Sequence, residues 1–281
     1  MKKFSVWLAA AALVVCVLLA ASCKKKEADV NSLGSAGTDD ASLQKVLDAG
    51  RFVLGLDDSF PPMGFHEEGT NEIAGYDIDL AREMAQRMGG TLVTQPIEWD
   101  SKEQELNTGK IDCIWNGFSI TEERKKAVLY TPPYLRNAQV VVVKENSPVT
   151  TLADLAGKKV STQMGSSSID ALDEAPDFKA SLKQIIEAKN FLTAFMDLDA
   201  GGVDAVVADL VVADYIIGVT NKPLRKLTET LGEEEFGIAF RLKDAALQAK
   251  VWAILNEMAA DGTIAQISEK WFREDMSKIG K

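Results

Sequence analysis

Residues 111–127 read IDCIWNGFSITEERKKA. The run IDCIW is short, apolar and bounded by turn residues, as a buried strand would be. It breaks at Asn116 and Gly117, and SITEERKKA then carries the marks of a helix start. Ser119 or Thr121 can cap it, and Glu122 follows Ser119 at capping-box spacing. A strand that ends in small polar residues and opens a helix is the repeating unit of an α/β sheet. One element does not fit. Glu122 and Glu123 suit the positive end of the helix dipole, whereas Arg124, Lys125 and Lys126 oppose it.

The same alternation extends in both directions. Upstream, SLQKVLDAG predicts a short helix capped by Ser42, RFVLGL a strand, IDLAREMAQRMGG a helix with Ala81, Met84, Ala85 and Met88 on one face, TLVTQPI a strand and KEQELNTGK a short helix. Downstream, AQVVVVK, KKVSTQ, LKQIIEAK and VDAVVA predict strands. The segments TTLADLAG, MGSSSIDAL, FLTAFMDLDAGG and DLVVADYIIG predict helices between them. EEFGIAF returns as a strand, and two amphipathic helices close the chain, the first with Leu247, Val251, Leu255 and Met258 in register. Comparable βα units stand on both sides of about residue 137. The pattern predicts an α/β protein of two lobes with parallel strands.

Open α/β sheets bind ligands at the carboxyl ends of their strands. RFVLGL ends in Asp57, Asp58 and Phe60, and IDCIW in Asn116, Gly117 and Ser119, with Arg124 beyond. KKVSTQ ends in Gly165, Ser166, Ser167 and Ser168, and VDAVVA in Asp209. Two of these ends are predicted helix N-termini with small residues, which present backbone N–H groups to an anion. Arg124 can fork onto a carboxylate. Asp209 is an isolated carboxylate on the other lobe. The set suits a zwitterion, with an anion at one end and an ammonium at the other.

The chain has 281 residues, 46% hydrophobic and 26% charged, enough for a sizeable core without disulfides or metals. Its net charge of −11, with no basic stripe, argues against a nucleic-acid partner. Lys2 and Lys3 precede the apolar run FSVWLAAAALVVCVLLAAS, the n-region and h-region of an export signal. The junction LAASC resembles a bacterial lipoprotein processing site, which implies cleavage after residue 22 and acylation of Cys23, for instance by palmitate. Residues 24–42 are polar, with glycine and serine but no period, and read as a tether. Cys113 then stands alone in an apolar run and reads as a small buried hydrophobe. His66, the single histidine, lies in a polar loop. No Cys/His spacing suggests a metal site, and no cofactor is implied.

NGFSITEERKKAVLYTPPY resembles the most specific motif of the bacterial extracellular solute-binding proteins of family 3, which take polar amino acids to ABC importers. DDSFPPMGF, GYDIDLAREMAQRMG, LAGKKVSTQMGSSS, GGVDAVVAD and FGIAFRLKD resemble further parts of that family, over about residues 43–275. The resemblance implies a periplasmic-binding-protein fold of type II, with two lobes joined by two crossing strands. Lobe 1 takes residues 43–136 and 232–281, and lobe 2 residues 137–231. It implies that Arg124 grips the ligand α-carboxylate, helped by Ser119 and by N–H groups near Gly165, Ser166 and Ser167. Asn116 and Gly117 offer acceptors near the α-ammonium, and Asp209 pairs with it. Phe60 packs on the ligand side chain and Asp57 lies near its far end. Trp115, and less strongly Trp99, is a candidate wall of the site, with core packing as the alternative for both. Arg124 then tolerates the local field because a ligand carboxylate completes its surroundings. The expected protein is a monomeric, extracytoplasmic, lipid-anchored binding protein whose partners are an L-amino acid and the importer's permease subunits. The rivals are an enzyme resembling cyclohexadienyl dehydratases and a ligand-binding sensor module.

Overall fold

A computed structural model describes residues 40–219 and 222–281. The expected signal segment, Cys23 and residues 24–39 of the expected tether lie outside the described residues. The elements follow the alternation read from the sequence. In chain order they are α1 (Ser42–Ala49), β1 (Arg51–Leu56), the short strands β2 (Ser59–Phe60), β3 (Gly64–His66) and β4 (Ile73–Ala74), α2 (Tyr76–Arg87), β5 (Thr91–Pro96), α3 (Lys102–Thr108) and β6 (Cys113–Ile114). Next come β7 (Val128–Tyr130), β8 (Leu135–Lys144), β9 (Lys159–Gln163), α4 (Ser167–Glu174), α5 (Pro176–Ser181), β10 (Gln184–Ala188), α6 (Phe191–Ala200) and β11 (Ala205–Asp209). The chain finishes with α7 (Leu210–Val219), β12 (Leu224–Phe236), β13 (Ala239–Arg241), α8 (Ala245–Ala260) and α9 (Thr263–Phe272).

The strands form two five-stranded sheets, ordered β5-β1-β6-β13-β7 and β10-β9-β11-β8-β12, and a small antiparallel sheet β2-β3-β4. Each large sheet is the centre of one lobe. Both are mixed, not parallel throughout as the alternation predicted. β5-β1-β6 and β10-β9-β11 run parallel, but β13 runs against β6 and β7, and β8 runs against β11 and β12. The reason is connectivity. The chain passes from the first sheet into the second through β8 and returns through β12. These strands pair antiparallel from Leu224↔Lys144 to Phe236↔Leu135. β8 is buried along almost its whole length, which explains the unbroken VVVV at its centre.

Three local expectations change. SITEERKKA is not an α-helix, and only a 3-10 turn at Arg124–Lys126 forms. The crossing strand claims the backbone first: Ser119 bridges Phe236, and the Ile120 N–H donates to the Glu235 carbonyl at 2.8 Å. TTLADLAG is likewise reduced to a 3-10 turn at Ala153–Leu155. Ser42 does not cap α1 but is its first residue, and the Ser42 N–H donates to Asp40 Oδ1 at 2.9 Å.

Helices α8 and α9 pack back onto α2 and β13. Leu247, Val251, Leu255 and Met258 are buried on the face that the spacing predicted. Phe272 meets Tyr76 edge-on with ring centroids 4.9 Å apart. Arg87 at the end of α2 donates to Asp261 at 2.6 Å and to Thr263 Oγ1 at 3.0 Å. The C-terminal helices are thereby fixed to the first sheet. Cys113 is a fully buried free thiol, pushed well up by burial.

Candidate functional site

The carboxyl ends of β1, β6, β9 and β11 converge where the two lobes meet. On the first lobe, Asp57 follows β1. Its N–H donates to Asn116 Oδ1 at 3.1 Å, which ties the ends of β1 and β6 together. The Asp57 carboxylate accepts the Ser59 N–H at 2.9 Å and, across the cleft, Gln163 Nε2 at 2.6 Å. Burial raises this carboxyl to about 6, an effect stronger than the bonds that favour its charge. Phe60 lies over Gly117 and meets Phe191 of the second lobe, with ring centroids 5.8 Å apart.

Gly117 has φ +58°, and a Cβ there would stand 2.7 Å from Phe60 and 3.1 Å from Phe236. Only glycine fits both the conformation and the space. Its N–H donates to Asp77 Oδ2 at 2.8 Å, and the Tyr134 hydroxyl donates to the same oxygen at 2.9 Å. Burial pushes Asp77 up to about 7. From this anchored turn the chain reaches Ser119 and Arg124. Thr121 Oγ1 caps the short turn by accepting the Arg124 N–H at 3.2 Å. The Arg124 side chain is buried and lies over the Phe118 ring at 4.5 Å, a cation–π stack. Its Nη1 donates to the Ser119 carbonyl at 3.1 Å and its Nη2 to the Gly165 carbonyl of the second lobe at 3.2 Å. With no α-helix here, the opposing dipole inferred from the sequence is not present. Lys125 and Lys126 point outward to Glu122 and Glu123.

On the second lobe, Gly165 has φ +69°, and a Cβ would come 3.1 Å from the Asp100 Cα of the first lobe. Its carbonyl also accepts Lys102 Nζ at 3.0 Å. Lys102 is buried, and desolvation together with the nearby Arg124 charge lowers it to about 8. Ser166 precedes α4 and donates its hydroxyl to the Gln163 carbonyl at 2.7 Å. Ser167 Oγ is 2.9 Å from Ser119 Oγ, a direct contact between lobes. Asp209 ends β11 fully within the protein. Its Oδ1 accepts Asn137 Nδ2 at 2.6 Å and Gln139 Nε2 at 3.1 Å. Burial, reinforced by the neighbouring Glu234 charge, pushes Asp209 well above the usual carboxylate range. At the cleft edge, Lys189 and Glu98 form an exposed pair at 2.9 Å.

The structure therefore brings Asp57, Phe60, Asn116, Gly117, Ser119, Arg124, Gly165, Ser166, Ser167 and Asp209 to one seam between the lobes. Trp115 is placed differently. It is fully buried in the core, edge-on to Tyr134 with ring centroids 6.3 Å apart. Trp99 likewise packs in the first lobe against Phe118. His66 is more than a solvated loop residue: its ring bonds the Asn71 carbonyl and Asp58, both at 2.9 Å, which raises it. The residues not anticipated are Asp77, Lys102, Asn137, Gln139, Gln163 and Glu234. Asn137 and Gln139 carried a signal, since they are polar, two apart and hence on one face of a stretch that is otherwise apolar as far as Val143. Among the described residues no cluster of three or more His, Cys, Asp or Glu could hold a metal ion.

Residues 52–274 match the bacterial extracellular solute-binding proteins, family 3. The chain belongs to this family. Among its relatives is the L-cystine-binding protein TcyJ of Escherichia coli K12, 29% identical over 85% of this chain and 89% of that protein. Another is the ABC transporter arginine-binding protein 1 of the same strain, 32% identical over 80% of this chain and 91% of that one. A Streptococcus pneumoniae ABC uptake transporter substrate-binding protein with bound histidine superposes with a TM-score of 0.83. It is 34% identical, and the match covers 86% of this chain and all of that one. As a family 3 protein the chain has the two-lobed α/β architecture described above. Its candidate cleft falls at the seam that its own hydrogen bonds define.

Proposed function

We propose that this chain captures a polar L-α-amino acid between its lobes and delivers it, chemically unchanged, to an ABC importer. The observation that carries this reading is the opposition of Arg124 and Asp209. The two charges come from separate lobes and flank the paired hydroxyls of Ser119 and Ser167. A carboxylate on Arg124 and an ammonium on Asp209 satisfy both. The nature of the relatives supports the ligand class, because the named ones are binding proteins for cystine and arginine and a transport protein with bound histidine. Asp57 with Gln163 at the far end favours a cationic or amide-bearing side chain. Ligand contacts on both lobes stabilise the closed form, and that differential affinity is the signal the importer reads.

In this reading Gly117 and Asn116 position the ammonium, Gly165 and Ser166 the carboxylate, and Phe60 covers the side chain. Lobe 1 comprises residues 43–136 and 232–281, and lobe 2 residues 137–231. The protein works as a monomer outside the cytoplasm, held to the membrane by acyl chains on Cys23 and presented to the permease subunits. Calorimetric titration of the parent, Arg124→Ala and Asp209→Ala proteins with a panel of L-amino acids tests it. Both variants are expected to weaken every ligand the parent binds, and the amino acid should be recovered unchanged by mass spectrometry. Conversion of the amino acid during incubation would contradict the transport reading.

A further inference from the structure

Asp209 does not stand alone at its end of the cleft. Glu234 lies on β12, where the chain crosses back to the first lobe, directly opposite Asn137 on β8. Its Oε2 accepts Ser119 Oγ at 2.7 Å, Asn137 Nδ2 at 3.1 Å, Gln139 Nε2 at 3.1 Å and Ser167 Oγ at 3.2 Å. The two amides that hold Glu234 are the same two that hold Asp209. Because Asn137 Nδ2 bonds both, the two carboxylate oxygens stand less than about 6 Å apart. Like charges at that range repel, and the repulsion is relieved either by a proton on one of them or by a cation between them. Among the described residues neither carboxylate has an ion-pair partner.

A second observation concerns Asn137 itself. It is 4% exposed, and its Oδ1 is buried without a hydrogen-bond partner. The orientation of the amide is set by the two carboxylates, which require its NH2 side. A buried acceptor left unpaired is costly and calls for a donor. Two carboxylates and one carbonyl oxygen thus gather in one place as acceptors, and an ammonium presents three N–H donors. Glu234 could instead imitate a ligand carboxylate, since the Ser119 and Ser167 hydroxyls bond it. Its position argues otherwise. It shares donors with Asp209, while the Arg124 Nη atoms engage the Ser119 and Gly165 carbonyls.

We propose that Glu234 is a second binding carboxylate for the ligand's α-ammonium, sharing it with Asp209. The assignment rests on the amino-acid reading and deepens it. Because Glu234 belongs to a crossing strand, the ligand then touches the hinge directly as well as the two lobe faces. Occupancy of the ammonium position is felt where the lobes pivot.

The experiment is calorimetric titration of the parent and Glu234→Gln proteins with L-arginine and L-glutamine. Their analogues lacking the α-amine, 5-guanidinopentanoate and 4-carbamoylbutanoate, are titrated alongside. The amide keeps the side chain's shape and removes its charge. Glu234→Gln is expected to weaken whichever of the two amino acids the parent binds by about tenfold or more. It should leave the amine-free analogues, weak ligands for both proteins, within threefold of the parent. The ligand-free melting temperature should be unchanged or higher, since one of two like charges is gone. Should Glu234→Gln fail to fold, Glu234→Ser is read in the same way. A parent protein that binds no member of a wider L-amino-acid panel overturns the amino-acid reading itself. A parent that binds, with both Glu234 variants inside threefold of it, overturns the role of Glu234 alone. Tighter binding by the variants also overturns it, and shows a side chain that competes with the ligand carboxylate.

Discussion

Asp57 offers a selectivity test that separates side-chain recognition from recognition of the α-groups. Its carboxyl is 7% exposed in the closed form, and burial raises it from 3.8 to about 6. Closing the lobes over a neutral side chain therefore buries a charge that the Ser59 and Gln163 bonds only partly offset. That cost is absent below about pH 4, grows as pH rises, and is complete above about pH 6. At about 1.4 kcal/mol per pH unit it amounts to about 3 kcal/mol, or roughly 100-fold in affinity. A cationic side chain at Asp57 removes the cost. L-arginine and L-citrulline have the same length and the same α-groups, so their affinity ratio isolates this effect from Asp209, Glu234 and Arg124. The ratio is expected to be small near pH 4.5, to rise through pH 6 and to level off by pH 7.5 at up to about 100-fold. In Asp57→Asn it should be small and flat. The assay is calorimetric titration of both ligands at several pH values. A ratio that does not change with pH in the parent protein, or that survives in Asp57→Asn, refutes the assignment of Asp57 to the side-chain end.

Arg124→Ala should weaken all amino-acid ligands roughly 30-fold to several thousand-fold, the cost of removing one member of a desolvated charge pair; a change under threefold by calorimetry would make it a purely structural arginine. Gly165→Ala adds about 1–2 kcal/mol of backbone strain and sets a Cβ against Asp100 of the opposite lobe, so both the melting temperature and the ligand affinity should fall. If only the melting temperature falls, the contact with Asp100 does not belong to the ligand-bound form. Asp77→Ala removes the acceptor of the Tyr134 hydroxyl and leaves the Gly117 N–H only its longer bond to Tyr134, and should cost about 1–3 kcal/mol in urea unfolding, with unaltered stability as the contrary result. Cys23→Ser should shift the protein from the membrane to the soluble fraction on cell fractionation, and retention on the membrane would contradict acylation there.

Much of the fold was legible because strand and helix periods alternate cleanly from Leu43 onward, and because parallel β-units bring their carboxyl ends together by construction. That rule, applied to Asp57, Asn116, Gly165 and Asp209, located the seam. Less legible were features decided by distant partners. SITEERKKA carries good capping signals, yet the crossing strand takes the backbone of Ser119 and Ile120 and leaves room only for a turn. Glu234 sits in a run of three glutamates that reads as a solvated edge, and only the pairing of β8 with β12 turns one of them inward. Lys102 lies on a short polar helix and looks exposed, but closure of the second lobe over it places the Gly165 carbonyl on its ammonium. Gln163 ends β9, and nothing in the sequence around it marks a partner across the cleft. Its bond to Asp57 joins residues 106 apart in the sequence.

In the proposed binding mode both α-groups of an amino acid are gripped, one by Arg124 and the other at Asp209. Blocking each group in turn tests it most directly. The parent protein is titrated by calorimetry with the best-bound L-amino acid, its α-N-acetyl derivative and its α-carboxamide. Tight binding of the free amino acid is expected, with a loss of at least about 30-fold for each derivative, because each leaves one desolvated charge unpaired. Equal binding of all three would show that the ligand is held by its side chain alone, and would contradict the grip on both α-groups.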